Sequence, residues 1–304
     1  MNDQASTAAP LPVKKGVSPN RLWLPQGEWE SIYDYFHSKF PHLSTDDCLG
    51  RFKRGEMVTA NGEVLSEQSA YKAGQHLYFY RELKDELQIP FEEKIIYQDE
   101  RILVADKPHF LPVAPTGQYL HETLLVRLRI ITKIDTLELC HRLDRETAGI
   151  VLLTKKPCYR HKYHQLFSDR KIKKTYHAIT SKVDSLSKIN DLPFHYRSKI
   201  IPDKDSMRMR EIAGTANSET IIRMSKERGV GFFLEISPIT GKKHQLRLHL
   251  SSMGMPIKND PLYPTRMPKQ PSDFENPLQL LAKSLQFTDP YSGQNHKFSS
   301  GQEL

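Results

Sequence analysis

An α+β fold in two unequal domains is what the sequence predicts, with a mixed, mostly antiparallel sheet in the larger one. Three observations carry the prediction. A length of 304 residues exceeds one average domain and suits two of different size. Strand-like and helix-like stretches are mixed without the strict alternation of a parallel βαβ sheet. A charged stretch at 85–93 reads as a linker between a small unit at 20–84 and a larger one at 94–304.

In chain order, residues 1–19 are polar and rich in Ala and Pro, and they read as a disordered tail without the apolar core of a signal peptide. Over 28–40, Trp29, Ile32, Tyr33, Phe36 and Phe40 recur at helix spacing. Ser44-Thr45-Asp46-Asp47 starts a second helix in the manner of a capping box, and Gly55 ends it after about Arg54. Strand-like residues on both sides of Asn61-Gly62 form a hairpin, since Asn-Gly is the strongest short turn signal. A further strand falls near 76–80, giving two α/β layers in the small unit.

The larger unit opens with strands at 95–97 and 102–105 and a helix at 119–130. Strands at 137–143 and 149–154 flank a loop that holds Asp144. Pro157 suits the first turn of a helix that runs to about Asp169. Strands follow at 173–181, 220–223 and 232–237. Thr240-Gly241 leads into a helix from about Lys243 to Met253, closed by Gly254, and a late strand spans 280–287.

Composition narrows the function. Lys and Arg outnumber Asp and Glu by 44 to 36, a net +8, and the pI is near 9.2. That excess points to an anionic partner, nucleic acid first. No apolar run approaches the roughly 18 residues of a membrane span. Cys48, Cys140 and Cys158 form no Cys-x-x-Cys pair, so free thiols in a reducing cytoplasm are expected and a structural zinc site is not.

Three constellations carry chemistry. In His141-Arg142-Leu143-Asp144-Arg145-Glu146-Thr147-Ala148-Gly149, a carboxylate stands at the lip of a buried strand among His141, Arg142 and Arg145. Nearby cations favour the ionised acid, so Asp144 can act as a nucleophile, although short Asp-Arg stretches are commonly surface ion pairs. In Lys171-Ile172-Lys173-Lys174-Thr175-Tyr176-His177-Ala178, alternation places Tyr176 on one strand face with apolar residues. A core aromatic and a base-stacking ring fit that position about equally well. In Thr240-Gly241-Lys242-Lys243-His244-Gln245-Leu246-Arg247-Leu248-His249, a Gly-Lys-Lys turn into a helix makes an anion site, and His244 and Arg247 share a helix face. Arg247 can grip a carboxylate through two N–H groups. The histidine spacings fit no metal site, and no cofactor is expected.

These segments together resemble the RluA family of RNA pseudouridine synthases. The family's His-Arg-Leu-Asp-x-x-Thr-Ser-Gly matches 141–149, with Ala148 in place of Ser. Its Lys-x-Tyr-x-Ala matches Lys174, Tyr176 and Ala178, and its Gly-Arg-x-His-Gln-Leu/Ile-Arg-x-His matches 241–249, with Lys242 in place of Arg. Asp106-Lys107-Pro108 and Gly254-Met255-Pro256-Ile257 with Asp260 add to the match, while Leu281 stands where the family commonly has His. The resemblance covers about 94–287, and the unit at 20–84 resembles the alpha-L RNA-binding module.

The resemblance implies the pseudouridine synthase fold and an isomerase. Uracil leaves its ribose, turns, and rejoins through carbon 5. Hydrolysis of a glycosidic bond needs two carboxylates, but here no water enters and one is enough. By resemblance Asp144 is the catalytic nucleophile, Arg247 pairs with it, and Tyr176 stacks on the flipped uracil and helps move a proton. Attack on the sugar and attack on the base both remain open. Arg142 is implied to hold the flipped geometry, with Lys107, Lys173, Lys174, Lys242, Lys243 and His244 contacting substrate or phosphate. Arg51, Lys53 and Arg54 form the basic cluster of the small module. The expected partner is RNA, ribosomal ahead of transfer RNA, acted on by a cytoplasmic monomer. The alternatives are a non-catalytic RNA-binding protein that keeps the fold and a glycosidase-like hydrolase.

Overall fold

The computed structural model describes residues 9–181, 192–204, 206–228, 231–267 and 272–304. The N-terminal unit contains β1 (Asn20–Trp23), α1 (Ile32–Lys39), α2 (Thr45–Lys53), β2 (Val58–Thr59) and β3 (His76–Phe79). Ser31 caps α1 through a reciprocal bond pair with Asp34, so this helix starts at 32 rather than 28. Ser44 caps α2 by accepting from the Asp47 amide. The Asn-Gly hairpin forms, with Gly62 in the left-handed region at φ +81°. The sheet order is β1-β3-β2. Its inner face packs Leu22, Leu77 and Phe79 against Ile32, Phe36, Cys48 and Phe52.

The second unit follows as β4 (Lys94–Gln98), β5 (Ile102–Lys107), α3 (Leu124–Thr132), β6 (Glu138–Leu139), β7 (Ala148–Thr154), α4 (Pro157–Ser168), β8 (Lys173–Ile179), β9 (Phe194–Pro202), β10 (Met209–Ile212), β11 (Ser218–Arg228), β12 (Gly231–Pro238), α5 (Gln245–Ser252), β13 (Leu280–Thr288) and β14 (Asn295–Ser299). Its sheet runs β10-β9-β11-β12-β8-β13-β7-β5-β4, with β14 beside β13 and β6 beside β7. The β13–β7 pair is parallel. The other pairings are antiparallel, as in β5–β7 and β12–β8. This is the mixed, mostly antiparallel sheet that the sequence predicts. Apolar side chains of β5 and β7 feed two cores, one toward α3 through Leu103, Val151 and Leu128 and one toward α4 through Val104, Leu152 and Tyr163. Among the described residues no helix is long and apolar enough to cross a membrane.

Several boundaries differ from expectation. The helix expected at 119–130 begins at Leu124, because the amides of Leu120, His121 and Glu122 are spent on the Glu86 carboxylate at 2.5, 2.9 and 2.8 Å. The stretch read as a linker therefore lies against the second unit, with Arg127 gripping the Ile89 and Phe91 carbonyls at 2.7 Å each. Residues 1–8 of the expected tail lie outside the described residues. Farther on, Val17 is buried with Leu120 and Val126, and Arg129 donates to Gly16 O (3.0 Å) and Ser18 Oγ (2.8 Å). One apolar side chain and two acceptors are enough to seat that segment.

Candidate active site

Asp144 sits in the turn between β6 and β7, closed by the Thr147 amide donating to Asp144 O at 3.1 Å. The turn is held from behind. The Lys107 ammonium, fully buried, donates to the carbonyls of Pro108 (2.9 Å), Leu111 (2.7 Å) and Arg145 (3.2 Å). Burial pushes this lysine down to about 7, against the pull of Glu146 and Asp144. His109 meets Glu146 O at 2.6 Å. The strand leaving the turn passes β13 so closely that a Cβ on Gly149 would stand 2.3 Å from Ala282 O, and Gly149 holds φ +113°. Only glycine fits this exit from the motif.

The cation in contact with Asp144 comes from α5. Gln245 fixes the start of that helix by donating to Glu219 O and accepting from the Lys242 amide and the Thr240 hydroxyl. His244 takes a left-handed conformation at φ 54°, so the helix opens at Gln245 rather than Lys243. Arg247 Nη1 then lies 3.1 Å from Asp144 Oδ2. Its Nε and Nη2 bind both oxygens of Asp260 at 2.8 and 2.7 Å. The Arg247 side chain is 1% exposed and Asp144 27%. Burial opposes the guanidinium charge, yet the Asp260 hydrogen bonds and the charges of Asp260 and Asp144 outweigh it and raise its pKa. Asp260 is in turn held by the Leu262 and Tyr263 amides. The result is a part-exposed carboxylate aimed by a buried arginine whose back is locked by a second carboxylate.

Two further side chains stand near Asp144. The His244 Nε2 atom lies 3.8 Å from Asp144 Oδ1, and burial drives His244 down to about 4, so it is neutral at pH 7. Its Nδ1 meets the Tyr263 hydroxyl at 3.2 Å, which also accepts from Met209 N and donates to Met209 O. Tyr176, on β8 opposite Ile236, packs between two core clusters. Burial and then the Asp144 charge push its phenol up, so the hydroxyl stays protonated.

The structure thus brings Asp144, Arg247, His244 and Tyr176 together and redirects others. Arg145 donates to Phe110 O, and His141 is neutral, pushed down to about 3 by burial, with its Nε2 accepting from Leu152 N. Neither serves as the cation beside Asp144. Arg142 is exposed next to the turn. Lys173, Lys242 and Lys243 are exposed, with Lys243 reaching Met207 O at 3.0 Å. Lys174 is half-buried, its ammonium 3.5 Å from Thr240 O, and burial lowers its pKa. Lys107 is corrected from a substrate contact to a brace, because its ammonium is enclosed. In the small module Lys53 is exposed. Arg51 is 2% exposed and donates to Tyr80 O and Asp47 O. It cannot contact RNA there, and Arg54 is paired with Glu56 and Glu82. Sequence reasoning missed the work of Asp260 and Tyr263, for which Asp-x-x-Tyr after the Gly-Met-Pro turn is the available signal. Among the described residues no group of three or more His, Cys, Asp or Glu side chains could hold a metal.

Comparison with known proteins gives a consistent picture. Residues 101–252 match the family described as RNA pseudouridylate synthase. The ribosomal large subunit pseudouridine synthase C of Buchnera aphidicola is 30% identical over 223 residues, 70% of this chain and 68% of that protein. The mitochondrial tRNA pseudouridine(32) synthase of Saccharomyces cerevisiae is 30% identical over 171 residues, 56% of this chain. The chain spans little more than a third of that yeast protein, 37%. The structure of human RNA pseudouridylate synthase domain containing 4 superposes with a TM-score of 0.53 at 26% identity, over 69% of this chain and 88% of that one.

Proposed function

The chain belongs to the RNA pseudouridylate synthase family, isomerases that convert uridine in RNA to pseudouridine, and on that premise we propose that Asp144 is its nucleophile and structured ribosomal RNA its main substrate. The observation that carries the assignment is the Asp144–Arg247–Asp260 array, in which one carboxylate is open to a ligand and the other is buried. The bond from N1 to the ribose breaks, the base turns in place, and C5 takes over the bond to the ribose. The C5 proton is lost and N1 gains one, so atoms balance without water.

Each residue then has a task. Arg247 directs Asp144 at the reacting sugar or ring. Tyr176 offers a ring face for the flipped uracil and a protonated hydroxyl for hydrogen bonding to it. His244, neutral, presents an uncharged wall beside Asp144 and leaves Arg247 as the cation in contact with it. Arg142 helps hold the flipped-out geometry, and Lys173, Lys174, Lys242 and Lys243 offset the cost of flipping through phosphate contacts. The ribosomal preference is supported by the longer match to a ribosomal-RNA enzyme, 70% of the chain against 56% for the transfer-RNA one.

The test uses purified protein on ribosomal and transfer RNA transcripts, reading pseudouridine and binding. Native protein should form pseudouridine at one or a few uridines of ribosomal RNA. Asp144→Asn should bind the same RNA and form none. Turnover by Asp144→Asn would remove the nucleophile assignment. Release of free uracil would mean hydrolysis instead.

A further inference from the structure

The small unit presents an aromatic surface away from its core. In the β1–β3 pair, Arg21 stands opposite Tyr78 and Trp23 opposite His76. Residues facing each other across antiparallel strands share a face, and alternate residues do as well. Leu22, Leu77 and Phe79 occupy the inner face against α1 and α2, so Arg21, Trp23, His76 and Tyr78 occupy the outer one. Trp23 is 50% exposed. Its ring lies 4.8 Å from that of His76, which lies 6.5 Å from that of Tyr78. Exposing a tryptophan on a sheet face forfeits burial worth about 2 kcal/mol or more, and stability gives no reason for it.

The occupant follows from the chemistry. Three neighbouring rings, inclined to one another at 63° and 56°, beside the exposed Arg21 match unpaired nucleobases joined by phosphates. Lys15, exposed just ahead of β1, adds charge of the same sign, whereas Lys14 is ion-paired with Glu56. The chain just ahead of β1 borders a cleft near the Asp144 turn. Ser18, three residues before Arg21 and so within about 11 Å of extended chain, lines a cleft of 540 Å³ with Leu139, Arg142 and His164. Arg142 is two residues from Asp144. Of the residues from which RNA contact was expected in this unit, Arg51 is buried and Arg54 is ion-paired, which leaves Lys53 exposed.

We propose that the outer face of β1 and β3, through Trp23, His76, Tyr78 and Arg21, is a stacking platform for unpaired nucleotides that flank the target uridine. The platform rests on reading RNA as the substrate, but its test needs no turnover. A Trp29→Phe chain leaves Trp23 as the sole tryptophan, since the sequence has two. A 12-nucleotide single-stranded oligoadenylate should quench Trp23 emission, and a duplex of equal length should quench it far less. Trp23→Ala with Tyr78→Ala should weaken binding of the single strand by at least about fivefold while the salt dependence keeps its slope, because phosphate contacts remain. Trp23→Phe should keep most of the affinity, which separates stacking from damage to the fold. Ile131→Ala, an exposed apolar residue elsewhere (60%), should bind as the native chain does. Unquenched Trp23 with unchanged affinity in the double variant would overturn the platform, even where pseudouridine still forms. Burial of Trp23 in a dimer or against a protein partner, with no response to RNA, would overturn it too.

Discussion

Replacing Asp260 by Asn keeps the shape of the Arg247 clamp and removes its charge. The native Asp260 carboxylate takes two N–H bonds from Arg247 at 2.8 and 2.7 Å and two more from the Leu262 and Tyr263 amides. Its side chain and that of Arg247 are 0% and 1% exposed. The substitution strands a buried guanidinium whose remaining counter-charge, Asp144, is partly in water, and an Asn amide N–H now faces an arginine donor. Breaking a buried pair in this way costs about 3–5 kcal/mol. At about 2–4 °C per kcal/mol, the melting temperature should fall by roughly 6–20 °C, nearer the low end for a chain of this length. Turnover should fall about a hundredfold or more, because Arg247 no longer aims Asp144. Asp144→Asn removes the exposed partner and should abolish turnover with a much smaller loss of melting temperature. Thermal unfolding and single-turnover kinetics on both variants separate the two roles. A melting temperature for Asp260→Asn within about 2 °C of native would refute the reasoning, since the buried charge would not then depend on Asp260.

Gly149→Ala should destabilise the chain by more than about 2 kcal/mol, because its Cβ meets the Ala282 carbonyl at 2.3 Å from a left-handed backbone; urea unfolding reads this directly. His141, His244 and His249 are driven down to about 3, 4 and 4 by burial, below their unfolded value near 6.5. The native state therefore binds fewer protons than the unfolded chain in that range, so stability is full above pH 6.5 and is lost as pH falls toward 4. His249 alone accounts for roughly 3 kcal/mol of that loss, and His249→Asn should flatten the slope in unfolding measured from pH 7 to 4. Tyr176→Phe keeps the ring and loses the hydroxyl, and should lower kcat about a hundredfold or more with KM nearly unchanged, measured by pseudouridine formation against RNA concentration.

Much of this site is legible in the sequence because its residues sit at fixed offsets on single elements. Asp144 precedes an apolar strand, Tyr176 alternates with apolar neighbours, and Arg247 lies in the first turn of a helix that His244 precedes. What escapes is what the tertiary structure decides. Arg145 adjoins Asp144 in sequence and His141 lies three residues before it, yet the turn sends both elsewhere and Arg247 arrives from 103 residues away. Lys107, Arg51 and Arg54 have the composition of an RNA surface, but burial and ion pairing consume their donors. In the fold, β14 escapes because Asn295–Ser299 is polar and pairs only along β13. Likewise β1 and β10 are short edge strands whose pairing, rather than their composition, makes them strands. By contrast β9 shows alternation through Phe194, Tyr196, Ser198 and Ile200, a readable signal that the sequence reading passed over.

The most direct measurement maps pseudouridine across total RNA from cells lacking this protein, then from the same cells supplied with the native chain or with Asp144→Ala. The account predicts that one or a few uridines, in ribosomal RNA, lose modification and that only the native chain restores them. Restoration by Asp144→Ala, or an RNA map that does not change when the protein is removed, would contradict it.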